Sequence, residues 1–390
     1  MSWTPVKLGE ICTLNYGKSL QNYSDHLPEE GSARVFGTNG PIGWTKEPLT
    51  KEPTIIVGRK GAYRGVHISS GPSWTIDTAY FTSTDPSVVD LQWFFYRLRL
   101  LDINSMNSGA AIPSTRREDF YAATINLPDL PTQQRIAGVL SAYDDLIENS
   151  RRRIGLLEQA ARLLYREWFV HCRFPDHETA TIVDGLPEGW STQLLADLCV
   201  EGGGIQTGPF GSQLHQSDYT DIGVPVVMPK DMKDNKVDCD GIARIPESLA
   251  DKLGRHRMLP GDTVYGRRGD IGRRAFIGKR QTGFFCGTGC LRIRPDPEKI
   301  NARYLFETLG SPATSGFIAN QAKGSTMPNL SAGALKKVPV LCAPDALQVQ
   351  FTNIIEPMLE TAEILDDQIT RLTRARDLLV PRLMDGRIPV

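Results

Sequence analysis

No stretch of this 390-residue chain approaches the roughly 18 consecutive apolar residues that a membrane-crossing helix needs. The opening MSWTPVKLGE also lacks the charged and apolar regions of a secretory leader, so a cytoplasmic protein without a membrane partner is expected. Cysteine is sparse: seven residues, an odd number, scattered and without a CxxC pair, which fits reduced thiols better than disulfides or a zinc site. Cys286 and Cys290 lie close together, but their strand-like FFCGTGCLRIR context reads as core. There is no GxxxxGK[ST] phosphate loop, no GxGxxG after a strand, no HExxH, and no Asn-Pro-Pro-Tyr or Asp-Pro-Pro-Tyr of an amino methyltransferase. Cys172 has His171 and His177 nearby but none of the surroundings of a nucleophile. These absences argue against a catalytic centre, a bound cofactor or a metal in this chain. The net charge of −1 excludes a uniformly basic polyanion binder.

What the chain does contain is itself, twice. Residues 109–169 overlay residues 324–384 at a constant offset of 215 without a gap, matching Gly109, Pro113, Phe120, Gln133, Ile136 and Leu140 with Gly324, Pro328, Leu335, Gln348, Phe351 and Ile355. Within the repeat the apolar steps alternate between four and three: Ile136, Leu140, Tyr143, Ile147, Ser150, Ile154, Leu157, Ala161, Leu164, Trp168. The second copy reads Phe351, Ile355, Met358, Ala362, Leu365, Ile369, Leu372, Arg376, Leu379, Leu383. This is a heptad seam, and it predicts two long helices, each about 55 Å at about 1.5 Å per residue. Helices of that length need a partner, so the two seams are expected to meet as a coiled coil. Two unrelated surface helices are the alternative.

Before each helix lies a stretch rich in short β-branched and aromatic runs broken by Gly, Pro, Asn and Asp, such as Thr54–Val57, Ala79–Ser83, Val224–Met228, Thr263–Tyr265 and Cys290–Ile293. The fold class is therefore α+β. The boundaries expected are 1–130 for a first β-rich module, 131–172 for a helix, 173–343 for a second module with its linker, and 344–390 for the last helix. Proline and glycine in 174–189 mark the passage into the second module, which starts near residue 184.

Local charge differs from global charge. Around Lys252–Arg280 the bases Arg255, Arg257, Arg267, Arg268, Arg273, Arg274 and Lys279 face only Asp251, Asp262 and Asp270, the footprint of a nucleic-acid-binding face. Two glycine-flanked basic turns recur, Gly58-Arg59-Lys60-Gly61-Ala62-Tyr63-Arg64-Gly65 and Gly266-Arg267-Arg268-Gly269 running on to Arg273-Arg274. Glycine admits a close approach of the backbone to phosphate, Lys and Arg neutralise it, and Arg can also bond a guanine edge. A solvated hairpin tip is the bland reading of either turn; recurrence favours nucleic acid. A second pair of loops, Gly109–Arg117 and Lys323–Ser331, offers Ser114, Arg116, Arg117, Ser325 and Asn329, although Ser331 could simply cap a helix. A third loop, Gly208–Leu214, carries Ser212 and Gln213, with Gly37–Gly40 and its Asn39 in a similar part of the first half.

The run Leu127-Pro128-Asp129-Leu130-Pro131-Thr132-Gln133-Gln134-Arg135-Ile136 through Glu148, continuing to Leu164-Tyr165-Arg166-Glu167-Trp168-Phe169-Val170, resembles the helical spacer of type I restriction-modification specificity subunits. Leu259–Gly272 and Lys323–Ser331 resemble a strand, basic turn and late loop of the target recognition domains in that family. The resemblance implies two recognition domains held apart by two antiparallel helices with pseudo-twofold symmetry. It implies double-stranded DNA as ligand, read as a bipartite, asymmetric target whose gap the helices set at about one helical turn. It also implies two modification subunits, holding S-adenosylmethionine and methylating adenine, and two restriction subunits using ATP and Mg, so that the chemistry lies in other chains. The candidate DNA-contacting residues are Asn39, Arg59, Lys60, Tyr63, Arg64, Ser114, Arg116, Arg117, Ser212, Gln213, Lys230, Arg267, Arg268, Arg273, Arg274, Ser325 and Asn329. A partner that fuses methyltransferase and nuclease, a catalytic chain with unseen motifs, and a scaffold binding protein or carbohydrate are the competing readings.

Overall fold

A computed structural model describes residues 3–25, 31–106, 112–269, 271–322 and 329–390. Nine strands build the first module: β1 Thr4–Lys7, β2 Cys12–Tyr16, β3 Ala33–Gly37, β4 Gly40–Thr45, β5 Thr54–Gly58, β6 Val66–Ser69, β7 Ser73–Thr75, β8 Ala79–Thr84 and β9 Thr124–Leu127. They form an antiparallel sheet in the order β2-β8-β5-β6, a three-stranded sheet β4-β3-β7 whose β3 and β7 run parallel, and an antiparallel ribbon of β1 with β9. The fully buried Thr-Ile-Ile-Val-Gly of β5 suits an interior strand, where β-branched side chains pack on both faces.

The second module repeats that plan. Its strands are β10 Ser191–Leu194, β11 Ile205–Thr207, β12 Val224–Val227, β13 Arg244–Ile245, β14 Thr263–Gly266, β15 Arg274–Phe276, β16 Phe285–Cys286, β17 Cys290–Ile293 and β18 Pro339–Cys342. The sheets are β11-β17-β14-β15, β13-β12-β16 with β12 parallel to β16, and the ribbon β10 with β18. Each strand is thus the counterpart of the one nine places earlier. Two ribbons, Ile182–Val183 with Leu186–Pro187 and Met232–Lys233 with Lys236–Val237, have no counterpart among the described residues of the first half.

The helices repeat as well: α1 Leu91–Arg99, α2 Arg117–Ala122 and α3 Leu130–Tyr165 in the first half, α4 Ala302–Leu309, α5 Pro312–Gln321, α6 Ala332–Lys336 and α7 Asp345–Met384 in the second. Asp90 caps α1 by accepting from Trp93 N–H, and Asn301 caps α4 by accepting from Arg303 and Tyr304 N–H. Helix α3 ends in a wider turn over Arg166–Val170 that seats Trp168 and Phe169 in the core. No helix among the described residues is long and apolar enough to cross a membrane.

Packing groups the chain into two compact units, Met1–Arg153 with Ile364–Val390, and Ile154–Glu363. The units cut through α3 and α7, because each helix packs its two halves on different neighbours. In the first unit Leu383, Met384 and Val380 from the end of α7 join Trp93, Phe94, Phe120, Ile136 and Leu140. In the second, Tyr165, Trp168 and Phe169 from the end of α3 join Tyr304, Leu335, Phe351 and Ile355. Positions 165, 168 and 169 are 380, 383 and 384 less 215, so equivalent residues fill equivalent cores. Each such buried side chain contributes about 1.5–3 kcal/mol. The paired helices run antiparallel in the first unit: Asp144 meets Arg376, and Arg135 Nε donates to Val390 O at 3.1 Å. All described seam positions are buried or half-buried.

One polar contact ties each long helix to its module, and it too recurs. Buried Gln133 accepts from Asp90 N–H at 2.8 Å and donates to Pro128 O at 2.9 Å and Val88 O at 3.0 Å. Buried Gln348 accepts from Asn301 N–H at 3.0 Å and donates to Ala343 O at 2.8 Å. Replacing Gln133 or Gln348 by Ala strands a buried amide and a carbonyl, and is expected to cost on the order of 2–3 kcal/mol. Urea unfolding of each variant checks this, and an unchanged midpoint would show that the glutamine is dispensable.

Candidate nucleic-acid interface

Three loops of the first module meet at its basic turn. Thr115 N–H donates to Arg59 O at 2.9 Å, Gly61 N–H donates to Pro113 O at 3.0 Å, and Lys60 forms a β-bridge with Ser114. The turn between β3 and β4 joins them, because Thr38 Oγ1 donates to Lys60 O at 3.0 Å and Thr78 O at 2.7 Å while Gly65 N–H donates to Thr38 O at 3.1 Å. Asn39, Lys60 and Tyr63 are exposed on this cluster, Tyr63 at 71%. Arg59 is half-buried: its Nη1 donates to Asp77 O at 3.0 Å and its guanidinium lies 4.8 Å from the ring centre of Tyr16.

The second module repeats three contacts of this frame. Leu330 N–H donates to Arg267 O at 2.8 Å, Arg268 bridges Asn329, and Arg267 N–H donates to Gly289 O at 2.9 Å as Arg59 N–H does to Thr78 O at 3.0 Å. Arg267 differs from Arg59 in what its side chain meets. Its Nη2 donates to Asn329 Oδ1 at 3.3 Å, and burial together with the adjacent Arg268 pulls its pKa below the usual arginine value. Arg268, Arg273, Asn329 and Lys230 are exposed. The parallel pairing of Phe36 with Thr75 and of Val227 with Cys286 makes Lys230 the positional counterpart of Asn39.

Several expected contacts lie elsewhere. Arg64 is only 2% exposed; its guanidinium donates to Gly61 O, Ile103 O and Asn104 O at 2.9–3.2 Å, so it holds the turn in shape and has no surface to offer DNA. Arg274 turns inward from β15, donating to Phe306 O at 3.3 Å over the Phe306 ring, and burial lowers its pKa. Arg116 is exposed but spends its guanidinium on Asp119 at 2.9 and 3.1 Å. Gln213 Oε1 accepts from Phe210 N–H and Arg255 Nη2, both at 3.4 Å, while Ser212 is exposed beside it. Ser325 lies outside the described residues. Gly37–Gly40 is not the counterpart of Gly208–Leu214. That place belongs to the segment starting at Gly17, since Gly17 N–H donates to Ala79 O and Gly208 N–H to Cys290 O, and a Cβ on either would strike the carbonyl of Ile76 or Gly287.

Tyr16 is the residue the sequence did not single out. It is 46% exposed at the end of β2, with the guanidinium groups of Arg59 and Arg117 at 4.8 and 4.4 Å from its ring centre. Cys286 and Cys290 are fully buried, and burial pushes the Cys286 thiol up to about 12. Among the described residues no group of His, Cys, Asp and Glu is arranged to hold a metal.

Comparison with known proteins places this architecture. Residues 1–159 match the model of the type I restriction modification DNA specificity domain. The chain is 23% identical to the type I restriction enzyme MjaIX specificity subunit of Methanocaldococcus jannaschii over 99% of its length and 86% of that protein. The MjaVIII specificity subunit of the same organism is 21% identical over 100% of this chain and 93% of its own. The crystal structure of a type I restriction-modification S subunit from M. genitalium superposes with a TM-score of 0.67 at 18% identity, covering 98% of this chain and 96% of that one, and so shares the fold. The chain is thus similar over its whole length to type I restriction-modification specificity subunits, and its first 159 residues match the DNA specificity domain.

Two substitutions separate surface from support in the first module. Lys60→Ala is expected to leave the melting temperature unchanged and to reduce the slope of log affinity against log salt by about one. Arg64→Ala removes three hydrogen bonds from a buried cation and is expected to lower the melting temperature by several degrees, about 4–8 °C per kcal/mol in a small domain. Calorimetry and salt-dependent DNA binding on the assembled complex distinguish them; equal melting temperatures would contradict the assignment of Arg64.

Proposed function

We propose that the chain reads a bipartite, asymmetric DNA target, one half-site per module, and carries no catalytic site of its own. The observation that supports this reading is the repeated hydrogen-bond frame, which carries a half-buried arginine in both copies, Arg59 and Arg267, beside unlike exposed side chains: Asn39, Lys60 and Tyr63 on the first copy, Lys230, Arg268 and Asn329 on the second. A shared frame docks both modules on duplex DNA in the same way, and different side chains meet different bases. Ser114, Arg117, Ser212, Ser325 and Arg273 complete the contact set, with Arg116 at its margin.

In this reading the modules are 1–130 and 173–343, and the helical segments 131–172 and 344–390 fix the gap between the half-sites. The chain works in the cytoplasm with two modification subunits, which hold S-adenosylmethionine and methylate adenine, and two restriction subunits, which use ATP and Mg. It positions both on the target. The absence of nucleotide-binding and methyltransferase motifs from this sequence accords with chemistry carried by other chains.

Genome-wide adenine methylation, in cells carrying the neighbouring modification subunit with and without this chain, tests the proposal. A two-part motif that vanishes on deletion is expected, whereas unchanged methylation by an expressed complex would refute it. Inserting whole helical turns into both long helices is expected to change the gap and keep both half-sites; an unaltered gap would refute the spacing role.

A further inference from the structure

The two modules share a basic pair at the turn, Arg59-Lys60 and Arg267-Arg268, but among the described residues the first alone sets an exposed aromatic ring beside it with two guanidinium groups against that ring. Tyr16 pairs with Tyr80 across β2 and β8, and the two rings lie 5.2 Å apart with a tilt of 53°. Tyr80 is buried and its hydroxyl donates to Thr115 O at 3.1 Å, so the platform beneath Tyr16 is fixed to the late loop from which Arg117 springs. The guanidinium of Arg117 lies 4.4 Å from the Tyr16 ring centre, and its hydrogen bond to Leu14 O is a long 3.4 Å. Neither Arg117 nor Arg59 makes an ion pair among the described residues. Two cations drawn to one ring with no carboxylate between them remain available to an external acceptor. The stacking also freezes arginine rotamers that would otherwise have to be ordered on binding.

The comparison between modules decides what that acceptor is. Contacts to the phosphate backbone are required whatever sequence is read, so they belong to what recurs, and Arg59/Arg267 with Lys60/Arg268 recur. Tyr16 and Arg117 do not. Register places Thr207 where Tyr16 stands, opposite Leu291 as Tyr16 is opposite Tyr80, and the repeat offset places Ala332 where Arg117 stands. A feature confined to one module serves the sequence that only that module meets. Arginine presents two parallel donors that match O6 and N7 of guanine in the major groove.

We infer that Arg117, held in position by Tyr16, reads a guanine in the first half-site. This rests on the bipartite reading proposed above and assigns one base pair of it. Tyr16 is a positioning residue: its ring acts through Arg117, and its hydroxyl is not needed.

The test is the methylation motif of genomic DNA in cells that express the full chain with its modification subunit. Arg117→Ala and Tyr16→Ala are expected to relax one guanine position in one half-site, cutting the preference for guanine about ten- to a hundredfold. The other half-site stays unchanged and reports that the complex is folded. Tyr16→Phe is expected to keep the wild-type motif. Arg117→Lys, which keeps the charge but loses the two-donor fork, is expected to relax the same position, and it serves if the alanine variants fail to accumulate. An intact motif with uniformly weaker methylation in the arginine variants would assign Arg117 to phosphate and overturn the inference, as would relaxation in Tyr16→Phe. A wild-type chain that gives no two-part motif would remove the underlying reading and this assignment with it, a result distinct from an unrelaxed motif.

Discussion

The geometry of each module hangs on one backbone hydrogen bond, from the late loop to the carbonyl of the turn arginine: Thr115 N–H to Arg59 O and Leu330 N–H to Arg267 O, at 2.9 and 2.8 Å. It closes the basic turn against the segment that leads into the short helix and the last strand, and so fixes where Lys60, Arg268 and their neighbours emerge. No side chain takes part in it. The bond therefore survives any change of the exposed residues, and the two copies have kept the frame while exchanging Tyr16 for Thr207, Asn39 for Lys230 and Ser114 for Asn329. The proposed reading of unlike half-sites with one docking geometry needs that separation of frame from contact.

The helices carry the same logic into the core. The seam residues are buried or half-buried as the heptad spacing requires, and the Gln133 and Gln348 side chains satisfy equivalent backbone groups in the two units. One place breaks the symmetry. In the first unit Asp144 accepts from both Tyr96 and Arg376, whereas the equivalent positions 359 and 161 are Leu and Ala, packed apolar in the second. Asp144 is half-buried, and facing the alanine that occupies the position of Arg376 it would lose its ion pair. The polar contact thus distinguishes one helix pairing from the other.

Much of this was legible from residues alone. The repeat, the heptad seam, the β-rich modules and the two basic turns follow from spacing and residue class, which survive divergence. The fates of individual arginines did not follow. Arg64 reads as a solvent-facing member of a glycine-flanked basic turn, but the chain beyond α1 supplies the carbonyls of Ile103 and Asn104 that bury it, a contact across about 40 residues that no local pattern encodes. Arg274 is likewise claimed by α4. Tyr16 was invisible because an aromatic at the end of a strand signals core, and only the register with Tyr80 and the arrival of Arg117 show it at the surface. The kinship of Gly17 with Gly208 was hidden by unlike following residues; it rests on hydrogen bonds to Ala79 O and Cys290 O and on the same steric exclusion of a Cβ.

The likeness to specificity subunits and the repeated frame together support the proposed role in recognition. The central claim is that each module reads on its own. Replacing residues 191–342 by residues 4–127, so that the chain carries the first module twice between its original helices, and then determining the adenine methylation motif, tests this most directly. The account predicts a two-part motif in which the first half-site occurs twice and the second is gone. A motif that retains the second half-site, from an assembled and active complex, would contradict it.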